Sequence, residues 1–201
     1  EDESGWMTRV SEDLSRSQQA FESYLGSSPA LFAYPYGEFS PALVALVESA
    51  GFVAAFGQQS GVIASGQDLF RLPRFPLGGD YASLAEFRTK AYMKSLPVRI
   101  VSPKSTELNG NAPPELRFYL NQRDIDKSSL RCFVSGQADC LVRQVEGEEG
   151  LYEAKAMQTL IGRRSKYTLT ASGLNGRSWY WFSQLWVRSR GSEVADVPVP
   201  R

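Results

Sequence analysis

Histidine is absent from this chain of 201 residues. Histidine is the usual base of catalytic triads and a common ligand of zinc and other metals. Mechanisms that need an imidazole base, a catalytic triad or a histidine-rich metal site are therefore excluded within these residues.

Net charge and long apolar runs are also missing. The chain has 22 basic and 22 acidic residues, so no global field favours nucleic acid or an anionic membrane surface. No apolar run approaches the roughly 20 residues that span a bilayer, and the acidic start at 1–3 is unlike a signal peptide. We expect no nucleic-acid partner and no membrane span. Because the first residue is not Met, we expect a processed or engineered product, or a piece of a longer protein.

Cysteine occurs twice, at Cys132 and Cys140. The residues at 135–139 form a turn of hairpin length, which would bring the two side chains within bridging range. A disulfide is the prediction, and it would imply an oxidising compartment. The alternative is two buried free thiols, which behave as small apolar groups. Two cysteines without histidine cannot complete a structural zinc site.

The first part of the chain alternates helical and extended patterns, which predicts an α/β layer with a parallel sheet. Helices are predicted over 6–25, over 41–50 behind the cap Ser40–Pro41, and from Ser83 to about Lys94. Short apolar runs predict strands at 30–34, 52–56 and 68–75. Active loops of such layers follow the carboxyl ends of strands, as the loop after Tyr34 does.

From 97 to 114 the composition shifts to Pro, Ser, Asn and Gly, which indicates a linker. Beyond residue 114, apolar residues recur at every second position, as they do in strands. Asn175–Gly176 is a strong hairpin signal. We therefore predict an α/β domain at 1–96, a linker at 97–114 and an antiparallel β-sandwich at 115–201.

Aromatic residues cluster at 179–186. In a strand, Trp179 and Trp181 lie on one face, and Tyr180, Phe182 and Trp186 lie on the other. One set must belong to the core. Trp179 and Trp181 are therefore candidate sugar-binding residues, with core packing and sheet contacts as the alternative.

Three segments resemble one known family in the same order. They are 31–40, which contains Tyr34-Pro35-Tyr36-Gly37; Ala50-Gly51-Phe52; and 70–74, which ends in Arg74. Alone, 32–40 would predict an ordinary structural turn. Together the segments resemble the later part of the polysaccharide deacetylase (NodB-homology) family over about 5–95. They look most like the branch that acts on exported N-acetylglucosamine polymers.

This resemblance implies a partial (β/α) barrel and the removal of acetyl groups by water activated on a divalent metal. It implies that the backbone amide of Tyr36 donates to the tetrahedral oxyanion and that Tyr34, Pro35 and Gly37 form a substrate loop. More distant members carry an arginine where Ala33 stands here. Arg74 or Arg71 would then orient the substrate, and the alternative for Arg74 is a salt-bridged barrel residue.

The family's catalytic aspartate, in a Thr-Phe-Asp-Asp motif, and its metal ligands, in a His-x-x-x-His motif, are missing. The resemblance thus implies a missing N-terminal segment of the same protein that holds zinc or a similar metal. We expect this chain alone to bind no metal and to be inactive, and the intact enzyme to be periplasmic or secreted. The alternative function is a non-catalytic carbohydrate-binding or cell-envelope interaction protein.

Overall fold

The computed structural model describes residues 2–108, 110, 112–135 and 137–188. The end of the predicted second domain, 189–201, lies outside the described residues. The chain forms two compact units: one runs to Gln58 and includes Ile63–Arg74, and the other comprises Gln59–Val62 and the chain from Phe75 onward. No described helix is both long and apolar enough to cross a bilayer.

In the described part of the first unit, two α-helices and two strands are found: α1 (Glu3–Leu25), β1 (Leu31–Ala33), α2 (Pro41–Ser49) and β2 (Ala54–Phe56). Asp2 caps the start of helix α1, because its carboxylate accepts the backbone N–H of Gly5 at 2.8 Å. It ends at Gly26, which has φ 77 and takes the left-handed capping position. Strands β1 and β2 pair in parallel, as the alternating pattern predicts, with Leu31 opposite Ala54.

Local capping explains why α2 starts where it does. The Ser40 hydroxyl accepts the N–H of Leu43 at 3.2 Å, and Pro41 occupies the first helical position. The helix packs one face into a small core of five buried side chains. These are Leu14, Tyr34, Val47, Phe52 and Ala55.

The strand predicted over 68–75 is largely a turn. Leu69–Arg71 forms a single 3-10 turn because the carboxylate of Asp68 accepts the N–H of Phe70 at 2.9 Å. Leu72 then makes a parallel bridge to Phe56, next to β2. The prediction of a full strand is wrong, since the side chain of Asp68 offers the backbone a competing partner.

Among the described residues of the second unit, one α-helix and nine strands are found. They are α3 (Leu84–Ala91), β3 (Lys94–Ser95), β4 (Arg99–Ser102), β5 (Glu107–Leu108), β6 (Glu115–Tyr119), β7 (Arg131–Val134), β8 (Gln137–Gln144), β9 (Leu151–Ala156), β10 (Arg164–Ser172) and β11 (Trp179–Arg188).

Hydrogen bonds join these strands into one sheet in the order β3-β11-β10-β7-β8-β9-β6-β4, with β5 also on β11. Strands β3 and β5 run parallel to β11, and the other pairs are antiparallel. A sandwich of two separate sheets is not confirmed. Part of the predicted linker belongs to this sheet, since β4 pairs with β6 and β5 with β11. The division into domains at 96 and 115 stays a prediction, which limited proteolysis can check.

The main core lies on one face of this sheet, as the period of two requires. Tyr167 and Leu169 of β10 face the same interior as Tyr180 and Trp186 of β11, with Phe182 packed against them. Trp186 is fully buried and meets Tyr167 edge to face, with ring centroids 5.4 Å apart. The set Tyr180, Phe182 and Trp186 is therefore the core set of the aromatic cluster.

Strands β7 and β8 carry the two cysteines directly opposite each other. Cys132 and Cys140 form a disulfide with their Cα atoms 5.2 Å apart, which confirms the predicted bridge. Cys132 also belongs to the buried core, so the bridge ties the hairpin to the packed face of the sheet.

Replacing both cysteines, Cys132→Ala with Cys140→Ala, should lower the free energy of unfolding by about 2–3 kcal/mol, because the unfolded chain loses a closed loop. Urea denaturation of the oxidised wild type and the variant measures this difference. Thiol titration of the denatured, unreduced wild type is the control and should find no free sulfhydryl. Two free thiols in protein from an oxidising compartment would contradict the bridge.

Candidate functional site

A tight turn, Pro35–Gly37, follows the carboxyl end of β1. The residue before the turn is bonded to β2, because the N–H of Tyr34 donates to the carbonyl of Phe56 at 3.0 Å. The last residue of the turn is bonded back to its start, because the N–H of Gly37 donates to the carbonyl of Tyr34 at 2.8 Å. The turn is therefore held by backbone hydrogen bonds on both sides.

The side chain of Tyr34 anchors this turn to the core. Its side chain is 2% exposed, and its hydroxyl donates to the carbonyl of Phe70 at 2.9 Å. Its ring packs against Phe39 and Phe32, with centroid distances of 5.0 and 5.4 Å. Burial, with the negative charge of Asp68 as a second cause, raises the pKa of Tyr34 to about 12. The structure thus gives the Tyr34 side chain a place in the core.

Tyr36 stands at the top of the turn in an unusual backbone conformation. Its φ is 56° and its ψ is 7°, in the left-handed region that L-residues with a side chain rarely adopt. Its side chain is 73% exposed. Such a conformation costs about 1–3 kcal/mol and is found preferentially at functional sites.

Gly37 is required by a close approach as well as by its φ of 69°. A Cβ atom at this position would overlap the backbone nitrogen and side chain of Gln58. Gln58 comes directly after Gly57 at the carboxyl end of β2, where parallel sheets place functional loops. Gln58 was not among the predicted site residues, although its position directly after a predicted strand was the available signal.

Arg74 also contacts this segment. Its Nε donates to the carbonyl of Gly57 at 3.0 Å, one residue before Gln58. Arg71 instead pairs with Asp68 at 3.2 Å and lies over the ring of Phe39 at 5.9 Å. Arg74 is therefore brought to the Gly57–Gln58 segment that packs on Gly37. Ala33, which stands where more distant family members carry an arginine, lies in β1 opposite Phe56.

A metal site of the kind that the resemblance implies does not fit these residues. The chain has no histidine, and in the described part of the chain no three Cys, Asp or Glu side chains converge as metal ligands do.

In the second unit, the two candidate sugar-binding tryptophans differ in exposure and in contacts. Trp179 is 53% exposed at the start of β11. Trp181 is partly buried, and its indole N–H donates to the carbonyl of Ser60 and the hydroxyl of Ser183, both at 3.0 Å. Its ring also meets Phe75 edge to face at 5.5 Å. Of the pair, Trp179 presents the more exposed ring.

Comparison with known proteins supports the resemblance in the first unit. Residues 5–55 match the family model described as Polysaccharide deacetylase. The matched stretch includes β1, the turn with Tyr36 and helix α2.

A solved structure, titled "Probing the structure and mechanism of de-N-acetylase from Aggregatibacter actinomycetemcomitans", is similar to this chain with 20% identity and a TM-score of 0.39. The likeness covers 45% of this chain and 34% of that one. The chain therefore spans about a third of that structure. No curated protein gives a significant match.

The contact between Gly37 and Gln58 makes a stability prediction. Gly37→Ala should destabilise the protein by about 1–3 kcal/mol for overlap, added to about 1–2 kcal/mol for the positive φ. Gly26→Ala is the matched control, because Gly26 also has a φ of 77° but no atom lies within 4 Å of its added Cβ. Equal losses in urea denaturation would show that the close approach contributes nothing.

The raised pKa of Tyr34, about 12, predicts a pH dependence. Because folding favours the neutral phenol, this contribution to stability is complete below the unfolded pKa near 10 and is lost as pH rises through about 12. Tyr34→Phe should remove it, flattening the fall in the free energy of unfolding between pH 10 and 12. An unchanged slope would contradict the assignment.

A second tyrosine, Tyr180, titrates in the same pH range. Tyr34→Phe therefore removes only part of the fall in the free energy of unfolding between pH 10 and 12. Tyr180 donates to Asp124 at 2.6 Å, and this bond, with burial, raises its pKa to about 12. Tyr180→Phe added to Tyr34→Phe should therefore flatten the slope further.

Proposed function

We propose that this chain is part of a metal-dependent polysaccharide deacetylase that hydrolyses acetyl groups from amino-sugar polymers of the poly-N-acetylglucosamine type. The observation that carries the proposal is the family match over residues 5–55. The geometry of the turn inside that stretch supports it, because a strained, anchored turn with an exposed tip suits a substrate site.

In the proposed reaction, water attacks the carbonyl carbon of the acetamide, and negative charge develops on the carbonyl oxygen. The C–N bond then breaks as the nitrogen takes up a proton that the attacking water has lost, which yields acetic acid, ionised at neutral pH, and the amine of the sugar. The backbone N–H of Tyr36 donates to the oxyanion. A donor held in place before the reaction contributes about 10²–10³ in rate, because it does not reorganise as charge forms.

The rest of the turn has positioning roles in this proposal. Pro35 and Gly37 shape the loop along the substrate, and Tyr34 contributes from the core through its hydrogen bond to Phe70. Arg74 orients the substrate from the Gly57 segment that its Nε contacts. The catalytic base and the ligands of a divalent metal, zinc or similar, belong to a part of the protein outside these 201 residues.

The disulfide supports export of the protein, because such bonds persist in oxidising compartments. A periplasmic or secreted location is therefore part of the proposal, and it would place the enzyme with exported polysaccharide.

A second candidate function rests on Trp179. An exposed indole on a sheet face is a typical stacking surface for sugar rings, and Trp179 is 53% exposed. In this alternative the chain is a non-catalytic carbohydrate-binding or cell-envelope interaction protein. Trp179→Ala would then abolish polysaccharide binding, and no acetate release would be found in the full-length protein.

Replacing the Tyr36 amide with an ester, by introducing the α-hydroxy analogue of tyrosine at position 36, tests the oxyanion donor in the full-length enzyme. The ester keeps the side chain and removes the N–H, so kcat should fall about 10²–10³-fold while KM changes little. Proline would not serve, because its ring fixes φ near −65° and Tyr36 has φ 56°. Tyr36→Phe is the control and should keep kcat. An ester enzyme with the wild-type kcat would contradict the donor role.

The 201-residue chain alone should release no acetate from acetylated amino-sugar polymers, with or without added divalent metal. Activating water at neutral pH needs a Lewis acid or a strong base, and the described residues offer no cluster of three metal ligands. Acetate assays of this chain and of the full-length protein provide the comparison. Metal-dependent release of acetate by the 201-residue chain would show that its own residues bind the metal and activate water.

A further inference from the structure

Two buried N–H groups of β11 have no hydrogen-bond acceptor among the described residues. They are the indole Nε1–H of Trp186, which is fully buried, and the Nε–H of Arg188, a residue that is 6% exposed. Buried N–H groups in proteins nearly always have an acceptor, so an exception needs an explanation. Because the two residues are two positions apart in one strand, their side chains leave the same face of the sheet.

A neighbouring polar group in the same core is well satisfied. The ring of Tyr167 lies 5.4 Å from that of Trp186. Its hydroxyl donates to the carbonyl of Pro114 at 2.9 Å and accepts the N–H of Ala156 at 3.0 Å. Burial in this core thus does not by itself leave a polar group without a partner.

Arg188 also carries a buried positive charge. Its Nη1 donates to the carbonyl of Gly110 at 2.6 Å, and its Nη2 donates to the carbonyl of Leu160 at 3.2 Å. Both acceptors are neutral, and no ion pair joins Arg188 to an Asp or Glu in the described part of the chain. Since burying a guanidinium is costly unless an anion compensates its charge, this position favours an anion.

The guanidinium is held in place by the protein itself. The two carbonyls fix its terminal nitrogens, and the backbone N–H of Arg188 donates to the carbonyl of Arg163 at 2.8 Å. Leu108 of β5 lies opposite Arg188 in the sheet and is 4% exposed. The remaining Nε–H therefore has a set direction, and a donor that is already ordered loses little conformational entropy on binding.

We propose that Arg188 and Trp186 form a buried site for one carboxylate group, whose oxygens accept the Nε–H of Arg188 and the Nε1–H of Trp186. Both side chains are donors only, so the ligand group has to be an acceptor. A guanidinium matches the planar shape of a carboxylate, and one negative charge balances the one positive charge. Inorganic phosphate, with more than one negative charge near neutral pH, would bring an excess charge into the interior. The inference goes beyond the proposed deacetylase function and does not depend on it.

The test follows the indole N–H signals of the full-length protein by NMR, with acetate as the probe and chloride at the same ionic strength as the blank. The Trp186 signal, assigned by its loss in Trp186→Phe, should shift with a saturable dependence on acetate, because its N–H gains an acceptor. The Trp181 signal is the matched control and should not move, since its N–H already donates to Ser60 and Ser183 at 3.0 Å. Phosphate in place of acetate should leave both signals unchanged.

The carboxylate has two sources that the experiment separates. Glu193 and Asp196 carry the first carboxylates that follow Arg188 in the sequence, and they lie outside the described residues. A saturable shift in the wild type assigns the site to a free carboxylate. A shift that is found only in the double variant Glu193→Gln with Asp196→Asn assigns it to the chain's own carboxylates. No saturable shift with acetate in either protein would overturn the inference.

Two further variants, made in whichever protein binds acetate, test the two donors. Arg188→Lys keeps the positive charge but removes the planar guanidinium, so the Kd for acetate should rise about tenfold. Trp186→Phe removes one donor to a charged acceptor, and its Kd, measured from the acetate dependence of the melting temperature, should also rise about tenfold. It decides the question if Arg188→Lys fails to fold. An unchanged Kd in either folded variant would overturn the proposed pair of donors.

Discussion

The hydroxyl of Tyr34 joins the turn after β1 to the segment after β2, and the geometry of the candidate site depends on that bond. The hydroxyl donates to Phe70 at 2.9 Å from a side chain that is 2% exposed. A buried hydroxyl without a partner costs about 1–3 kcal/mol, so the position of Phe70 and the position of the turn are coupled. Tyr36, with its positive φ, lies between this anchor and Gly37, where an added Cβ would overlap Gln58, and a strained backbone persists where its surroundings hold it.

Local signals in the sequence predicted where the helices begin and where β10 turns into β11, whereas α3 ends at Ala91 and not near Lys94, which lies in β3. Ser40–Pro41 marks the start of α2, Ser83 caps α3 by accepting the N–H of Glu86, and Asn175–Gly176 lies between β10 and β11. The disulfide followed from spacing, because a hairpin brings positions eight apart into register. Each of these features is decided by residues close together in the chain.

Features that depend on distant partners were not predictable in the same way. Residues 97–114 have the composition of a linker, yet β4 and β5 lie within them because β6 and β11 offer free edges. A single sheet rather than two depends on which strands pair, which the period of two does not specify. Likewise the sequence marked the turn at Tyr36 through a family resemblance, but the positive φ and the contact with Gln58 follow from tertiary packing.

A site built on a backbone N–H has a different pH behaviour from one built on side chains. An amide N–H does not titrate across the pH range in which proteins fold, so the proposed oxyanion donor works equally in acid and base. Tyr34, which anchors the donor, has a pKa of about 12 and stays neutral through the same range. With no histidine in the chain, the orientation and electrostatic stabilisation proposed for these residues would keep a constant strength across that range. A pH dependence of turnover near neutrality would then arise from the groups that activate water, which this proposal places outside the 201 residues.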